Sequence, residues 1–279
     1  MEQRENFLNI DKIFRTKGKK IYPLIPKSII RYLERIAHQD DLNDALWRFR
    51  HLKNHDFLKE ILFSLFGVTL NVSGFENLPE KGRYFVVGNH PLGGLDGMAL
   101  MHVVGQVRRD MKFVSNDILL ELPSLRELFV PVNKHGSNPT EAVSAFNEIL
   151  ESDMVVLIFP AGLVSRKQKG KILDLEWKKT FISKAVKYRR DIVPVHITGR
   201  NSEFFYNLAL WRKRLGIKAN IEMLYLVDEM FKQNNKTITL TFGKPIPFTT
   251  FTREKTPVEW AEVVKKHVYG LPEGKLIFD

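Results

Sequence analysis

The chain has 279 residues, enough for one sizeable α/β domain with an accessory helical segment, and its 44% hydrophobic and 27% charged residues are ordinary globular composition. It has no cysteine, which excludes a disulfide framework, a thiolate zinc site and a cysteine nucleophile. Its 43 Lys and Arg against 32 Asp and Glu give a net charge of +11, which favours partners carrying anions: nucleic acid, anionic lipid headgroups, an acidic carrier protein or a nucleotide-like cofactor.

The first residues, "MEQRENFLNIDK", are charged throughout and do not read as a secretory signal. Residues 1–66 read as a helical segment. "PKSIIRYLERIAHQ" spaces Ile29, Ile30, Leu33 and Ile36 on one helix face, and a second run places Phe57, Leu58, Ile61, Leu62 and Phe66 on another, with Asp40 and Asn54 as N-caps. Such a segment either packs on the domain that follows or lays its Phe/Leu face on a bilayer. The longest uncharged run, Ile61 to Phe75, falls short of the ~18–20 residues of a spanning helix. A cytoplasmic protein, peripheral on the inner face of a membrane, is therefore expected.

Residues 67–279 alternate strand and helix. "VTLNVSG", "RYFVVGN", "MKFVSN", "FVPV", "MVVLIFP", "DIVPVHITG" and "TITLTFGKPIP" read as strands. "DGMALMHVVGQ", "SLREL", "NPTEAVSAFNEILES", "LEWKKTFISKAVKYRR" and "TPVEWAEVVKKHVYG" read as helices. In the third of these, Ala142, Phe146, Ile149 and Leu150 are expected to point inward. The fold class is α/β: a mainly parallel or mixed sheet with helices on both faces, preceded by the N-terminal helices.

The chemistry concentrates in "FVVGNHPLGGLDG", Phe85 to Gly97. His90 falls just past a strand, where open α/β sheets bind ligands, and Gly93-Gly94 let the chain turn back so that Asp96 can return to it. In one reading Asp96 only caps the following helix and His90 is only a polar strand end. In the other, Asp96 accepts a hydrogen bond from one imidazole nitrogen and leaves the second free as a general base. One His and one Asp are too few ligands for a metal, so none is expected. With no G-x-S-x-G and no cysteine motif, such a base suits activation of an acceptor hydroxyl or amine for attack on a reactive carbonyl such as a thioester.

"NHPLGGLDG" resembles the first motif of the glycerolipid acyltransferase superfamily, with five residues between His90 and Asp96 where that motif usually has four. The longer spacing is similar to the branch of ornithine-lipid and glycine-lipid acyltransferases and haemolysin-like proteins. "FVPVNKHG" resembles the second motif, "LIFPAGLVSR" the third, "DIVPVHITGRNS" the fourth, and "FGKPIPF" a recurring late strand, so the resemblance covers about residues 68–250. It implies an acyltransferase with His90 and Asp96 catalytic and no cofactor. Acyl-coenzyme A or an acyl carrier protein would be the donor, and a membrane lipid or amino-lipid the acceptor. It places Asn89, Gly94, Lys134, Pro160 and Gly162 against substrate. Ala161 stands where the third motif has glutamate, and Leu163-Val164 where it has Thr-Arg, which turns the expected acceptor from a glycerol-phosphate toward an amine-bearing or zwitterionic lipid.

Two arginines complete the candidates. Arg166 is expected to grip a phosphate or carboxylate, and Arg200, past another strand, to be either a ligand contact or an ion-pair partner. Backbone around Gly162 is expected to help hold an oxyanion. His196, inside an apolar strand, is expected to be a satisfied core histidine. "WRKRLGIK", Trp211 to Lys218, suits either a solvated helix face or an anionic interface. The rival readings are a non-catalytic basic membrane or nucleic-acid binder, in which Asn89-His90 and Asp96 would be idle, and a lipid hydrolase using the same base on water. No nucleic-acid partner is expected in the leading one.

Overall fold

Short apolar runs bounded by turn residues build the centre of the molecule. The computed structural model describes residues 7–17, 22–115, 122–131 and 139–278. Its strands are β1 (Thr69–Ser73), β2 (Tyr84–Gly88), β3 (Met111–Ser115), β4 (Phe129–Pro131), β5 (Val155–Ile158), β6 (Arg166–Gln168), β7 (Lys171–Leu173), β8 (Asp191–Ile197) and β9 (Thr237–Phe242). Seven form one sheet in the order β1-β9-β8-β2-β5-β3-β4, and β6-β7 form a separate antiparallel hairpin. β8, β2, β5, β3 and β4 are mutually parallel, so their carboxyl ends share one rim. β9 runs antiparallel to β8 and parallel to β1.

The period of two in β2 decides the two faces. Tyr84 and Val86 join Val155, Leu157, Val193 and Val195 in one apolar cluster. Phe85 and Val87 join Val156 and Ile192 in the other. The first is covered by α4 (Asn54–Lys59), the π-helical turn after it (Glu60–Leu65) and α5 (Gly94–Val104). The second is covered by α6 (Pro139–Glu151), α7 (Thr180–Tyr188) and α10 (Pro257–Gly270). Arg190, fully buried, donates to the carbonyls of Ile149, Leu150, Ser152 and Met154 and so closes the end of α6. Burial lowers its pKa to about 10.

Before the sheet come α1 (Ile10–Lys17), α2 (Lys27–Ile36) and α3 (Gln39–Arg48). Phe57, Leu58, Leu62 and Phe66 are buried in the sheet's own core, so that Phe/Leu face is packed and does not face a bilayer. The N-caps differ from expectation. His38 caps α3 and Lys53 caps α4; Asp40 lies in the first turn, and Asn54 donates its side-chain amide to Glu127. The "LEWKK" stretch stays outside α7, and residues Glu203–Arg214 form α8, followed by α9 (Leu226–Phe231). Among the described residues, no helix is long and apolar enough to cross a membrane.

Candidate active site

His90 sits on the shared rim, directly beyond β2. The chain turns there through Gly93, whose φ of +85° is open to glycine and strained for other residues. Gly94 opens α5 against α9: a Cβ on it would lie 2.9 Å from Met230 Sδ. Asp96 lies in the first turn of α5; the N-cap is Gly93, which corrects the capping role expected for the aspartate. Its side chain is fully buried. Oδ2 accepts the Leu92 N–H at 2.7 Å and Oδ1 the Gly97 N–H at 2.7 Å. Among the described residues no Lys or Arg pairs with this buried carboxylate, and these donors and the positive end of the helix compensate it.

Both carboxylate oxygens lie 3.1 Å from His90 Nδ1. A carboxylate only accepts, so Nδ1 carries the proton and Nε2 of the neutral ring keeps its lone pair. Nε2 has no hydrogen-bond partner among the described residues, and 19% of the side chain is exposed. The ring is held flat by Phe159, just past β5, with centroids 4.5 Å apart and planes 25° from parallel. An imidazole held by a carboxylate and a stacked ring, with one basic nitrogen open at a ligand rim, can take a proton from an incoming group.

The backbone of His90 is held as well. Asp174, with no exposed surface, accepts the His90 N–H at 3.2 Å and the Ser165 hydroxyl at 2.6 Å on Oδ1, and the Trp177 Nε1–H at 2.9 Å on Oδ2. The Ser165 N–H in turn donates to the His90 carbonyl at 2.7 Å. Burial raises the Asp174 pKa, opposed by its hydrogen bonds from Ser165 and Trp177. The Tyr269 hydroxyl accepts the Asp174 N–H, and burial, then the Asp174 charge, push its pKa up. Sequence reasoning missed Asp174, Ser165 and Trp177 as supports of the loop; their only signal was an acid inside a polar stretch.

The other candidates scatter. The Asn89 amide is bound to β8, accepting the Ile197 N–H at 2.7 Å and donating to its carbonyl at 2.9 Å, so it ties the loop of His90 to that strand. Pro160 is buried in the turn after β5, and its carbonyl accepts the Lys178 N–H. The N–H of Gly162 (φ +67°) donates to the Phe159 carbonyl at 3.0 Å and is not free for an oxyanion. A Cβ on Gly162 would lie 3.3 Å from Lys178 Nζ, which places an exposed ammonium at this rim that sequence reasoning passed over.

Arg166 corrects another expectation. It is buried, pairs with Glu222 at 2.9 Å, donates to the Val164 carbonyl at 2.6 Å and sits over the Phe205 ring. Burial lowers its pKa, with Glu222 opposing. Burial pushes the Glu222 carboxyl up, but the hydrogen bond from Arg212 at 2.6 Å and the Arg166 pair outweigh it, and the net shift is downward. Arg166 thus ties the β6-β7 hairpin to the segment after α8. Arg200 is exposed beyond β8 and pairs with Glu203. Lys134 lies outside the described residues. His196 is half-buried on β8, its buried Nδ1 has no partner among the described residues, and burial lowers its pKa to about 4, so it is not the satisfied core histidine expected. Among the described residues, no group of three or more His, Cys, Asp or Glu is placed to hold a metal.

Residues 12–275 match the model of a family described as acyltransferase. The chain is 50% identical over 265 residues to the lyso-glycine lipid O-acyltransferase of Bacteroides thetaiotaomicron, covering 95% of this chain and 97% of that one. It is 47% identical over 265 residues to the protein of the same name from Phocaeicola vulgatus, covering 95% of each. Its fold is similar to the crystal structure of the 1-acyl-sn-glycerophosphate acyltransferase PlsC from Thermotoga maritima, with TM-score 0.52, 19% identity, and coverage of 98% of this chain and 95% of that one.

Proposed function

Because the chain belongs to the acyltransferase family and is an acyltransferase, we propose that it moves a fatty acyl group from a coenzyme A or acyl-carrier-protein thioester to the hydroxyl of a lyso-lipid bearing a glycine headgroup. The observation that carries the mechanism is the pair of 3.1 Å contacts from His90 Nδ1 to the buried Asp96 carboxylate, with Nε2 left open at the rim. In this reading the acceptor oxygen attacks the thioester carbonyl as its proton passes to His90 Nε2. The carbon–sulfur bond then breaks, and the same proton goes to the departing thiolate, leaving an ester and a free thiol. Asp96 fixes the tautomer and stabilises the imidazolium that forms in between. Positioned proton transfer of this kind contributes roughly 10²–10⁴-fold.

The acceptor class follows from names and residues together. Two relatives that match over 95% of this chain carry lyso-glycine lipid in their names. A glycine bonded through its nitrogen offers one carboxylate where a glycerol-phosphate offers a dianion. The third motif here lacks Thr-Arg, and Arg166 is turned inward to Glu222, so among the described residues the rim offers single exposed cations such as Lys178 instead of a phosphate grip. A lipid acceptor favours work at a membrane surface, in keeping with the inner face expected from the sequence.

The test uses purified protein with radiolabelled acyl-coenzyme A and acyl-carrier-protein donors, offered N-acylated glycine carrying a free hydroxyl or lysophosphatidic acid. Ester formation on the glycine lipid, lost in His90→Ala, is expected. Undiminished transfer in His90→Ala would reject the base. A preference for lysophosphatidic acid would reject the acceptor, and fatty-acid release independent of acceptor would make the protein a hydrolase.

A further inference from the structure

The geometry points to the outward face of α8 as the surface that seats this acyltransferase on an anionic bilayer, a proposal that rests on the reading of its acceptor as a membrane lipid. Phe204, Leu208, Trp211 and Leu215 recur at helical spacing and form one stripe. The opposite face, Phe205, Tyr206 and Ala209, is buried, so the stripe faces away from the protein. It is unusually open for such side chains: Trp211 is 64% and Leu215 71% exposed. The indole makes no ring contact or hydrogen bond with any described residue. The stripe broadens at its start, where the Phe204 ring meets Tyr225 at 4.9 Å and the Tyr225 hydroxyl bonds that of Tyr32 on α2 at 2.8 Å.

Charge selects the occupant. From Phe204 to Ile221 the chain has no acidic residue. Lys213, Arg214 and Lys218 are exposed and have no carboxylate partner among the described residues, while Arg212 is held by Glu222. An apolar and aromatic stripe ending in unpaired cations is the pattern of a helix lying at a lipid–water boundary, with rings among the acyl chains and cations at the headgroups. A second copy of the chain docked symmetrically would bring these cations against their own equivalents. An acidic carrier protein would answer the cations but leave the stripe in water.

Position connects the surface to the reaction. Ser202 caps α8 by accepting the Phe205 N–H, and the Asn201 side chain donates to the Pro91 carbonyl, next to His90. The stripe therefore starts beside the catalytic loop and runs about 17 Å from it at 1.5 Å per residue. A bilayer against this face lies along the site's rim, where a lyso-lipid can present its hydroxyl to His90 without leaving the membrane.

The experiment is flotation with vesicles of phosphatidylcholine alone or mixed with phosphatidylglycerol, together with Trp211 emission and transfer assays in vesicles and in detergent. Wild type is expected to float with the mixed vesicles, less so in high salt, with a blue-shifted emission that disappears in Trp211→Phe. Lys213→Gln with Lys218→Gln should weaken binding about thirtyfold. Trp211→Glu with Leu215→Glu should weaken it by roughly a hundredfold. Both pairs are exposed, so circular dichroism should stay unchanged. Transfer to vesicle-embedded acceptor should fall in parallel, while transfer to detergent-dispersed acceptor stays at the wild-type rate. His90→Ala should still float, which separates this proposal from the catalytic one. Full vesicle binding by either double variant would overturn it. So would variants that lose only the response to acyl carrier protein.

Discussion

Asp174→Asn is the substitution that most directly probes how the catalytic loop is held. The carboxylate receives three donors: the Ser165 hydroxyl at 2.6 Å, the His90 N–H at 3.2 Å and the Trp177 Nε1–H at 2.9 Å. An asparagine has one acceptor oxygen and one NH2. If its oxygen faces Ser165 and His90, the NH2 meets the indole N–H, donor against donor. If the amide flips, the NH2 meets the His90 N–H instead. Either way a fully buried donor goes unpaired, at about 1–3 kcal/mol. The His90 backbone loses part of its restraint, and a misplacement of ~1 Å in a reacting group costs on the order of 10²-fold. Urea unfolding should show the stability loss, and steady-state kinetics a fall in kcat with KM little changed. A cycle with Trp177→Phe isolates the hydrogen bond, because the cavity left by the smaller ring is common to both backgrounds. Trp177→Phe should cost about 1–2 kcal/mol less in the Asp174→Asn background than in wild type. Wild-type stability and kcat in Asp174→Asn would refute this account of the loop; strict additivity in the cycle would identify the flipped amide, whose oxygen still accepts the Trp177 Nε1–H.

Asp96→Asn leaves one acceptor oxygen where two now serve His90 Nδ1, the Leu92 N–H and the Gly97 N–H, so the His90 tautomer is no longer fixed and kcat/KM should drop by on the order of 10²-fold or more in the transfer assay. Arg166→Ala leaves Glu222 buried with Arg212 as its remaining cation and should destabilise by roughly 3–5 kcal/mol in denaturant unfolding. Lys178→Ala, on an exposed side chain, should leave unfolding unchanged and raise the acceptor KM. His196 is a base with a lowered pKa, from 6.5 to about 4, so its contribution to stability is present above pH 6.5 and is lost as pH falls through about 4. That shift corresponds to about 3 kcal/mol, so His196→Phe should flatten the stability–pH curve by about this amount across that window, read from urea midpoints.

The sheet was legible because its strands are written in one-dimensional patterns. "MVVLIFP" is apolar throughout because it is buried on both faces, and β2 alternates between two clusters. The His90–Asp96 contact was legible because both residues lie within one turn of chain. What was not legible depends on partners far along the sequence. The "LEWKK" stretch has helical composition, yet it stays outside the helix, where Trp177 reaches Asp174 and the Lys178 N–H reaches the Pro160 carbonyl. Arg166 was expected to grip an anion, yet β6 and β7 pair around it and bury it.

Arg166 and Lys178 show why a basic residue near a ligand rim is ambiguous in sequence. Both follow the same strand within one loop-hairpin segment, and the arginine has the chemistry better suited to gripping an oxyanion. A guanidinium with a buried carboxylate waiting 56 positions away is held inside, because leaving Glu222 with one fewer cation would cost more than any rim contact returns. The lysine has no such carboxylate among the described residues and remains at the surface beside Gly162. The location of the acids, more than the identity of the bases, thus decides which cation meets the acceptor. The same logic explains α8, where an acid-free stretch leaves Lys213, Arg214 and Lys218 facing outward beside an apolar stripe.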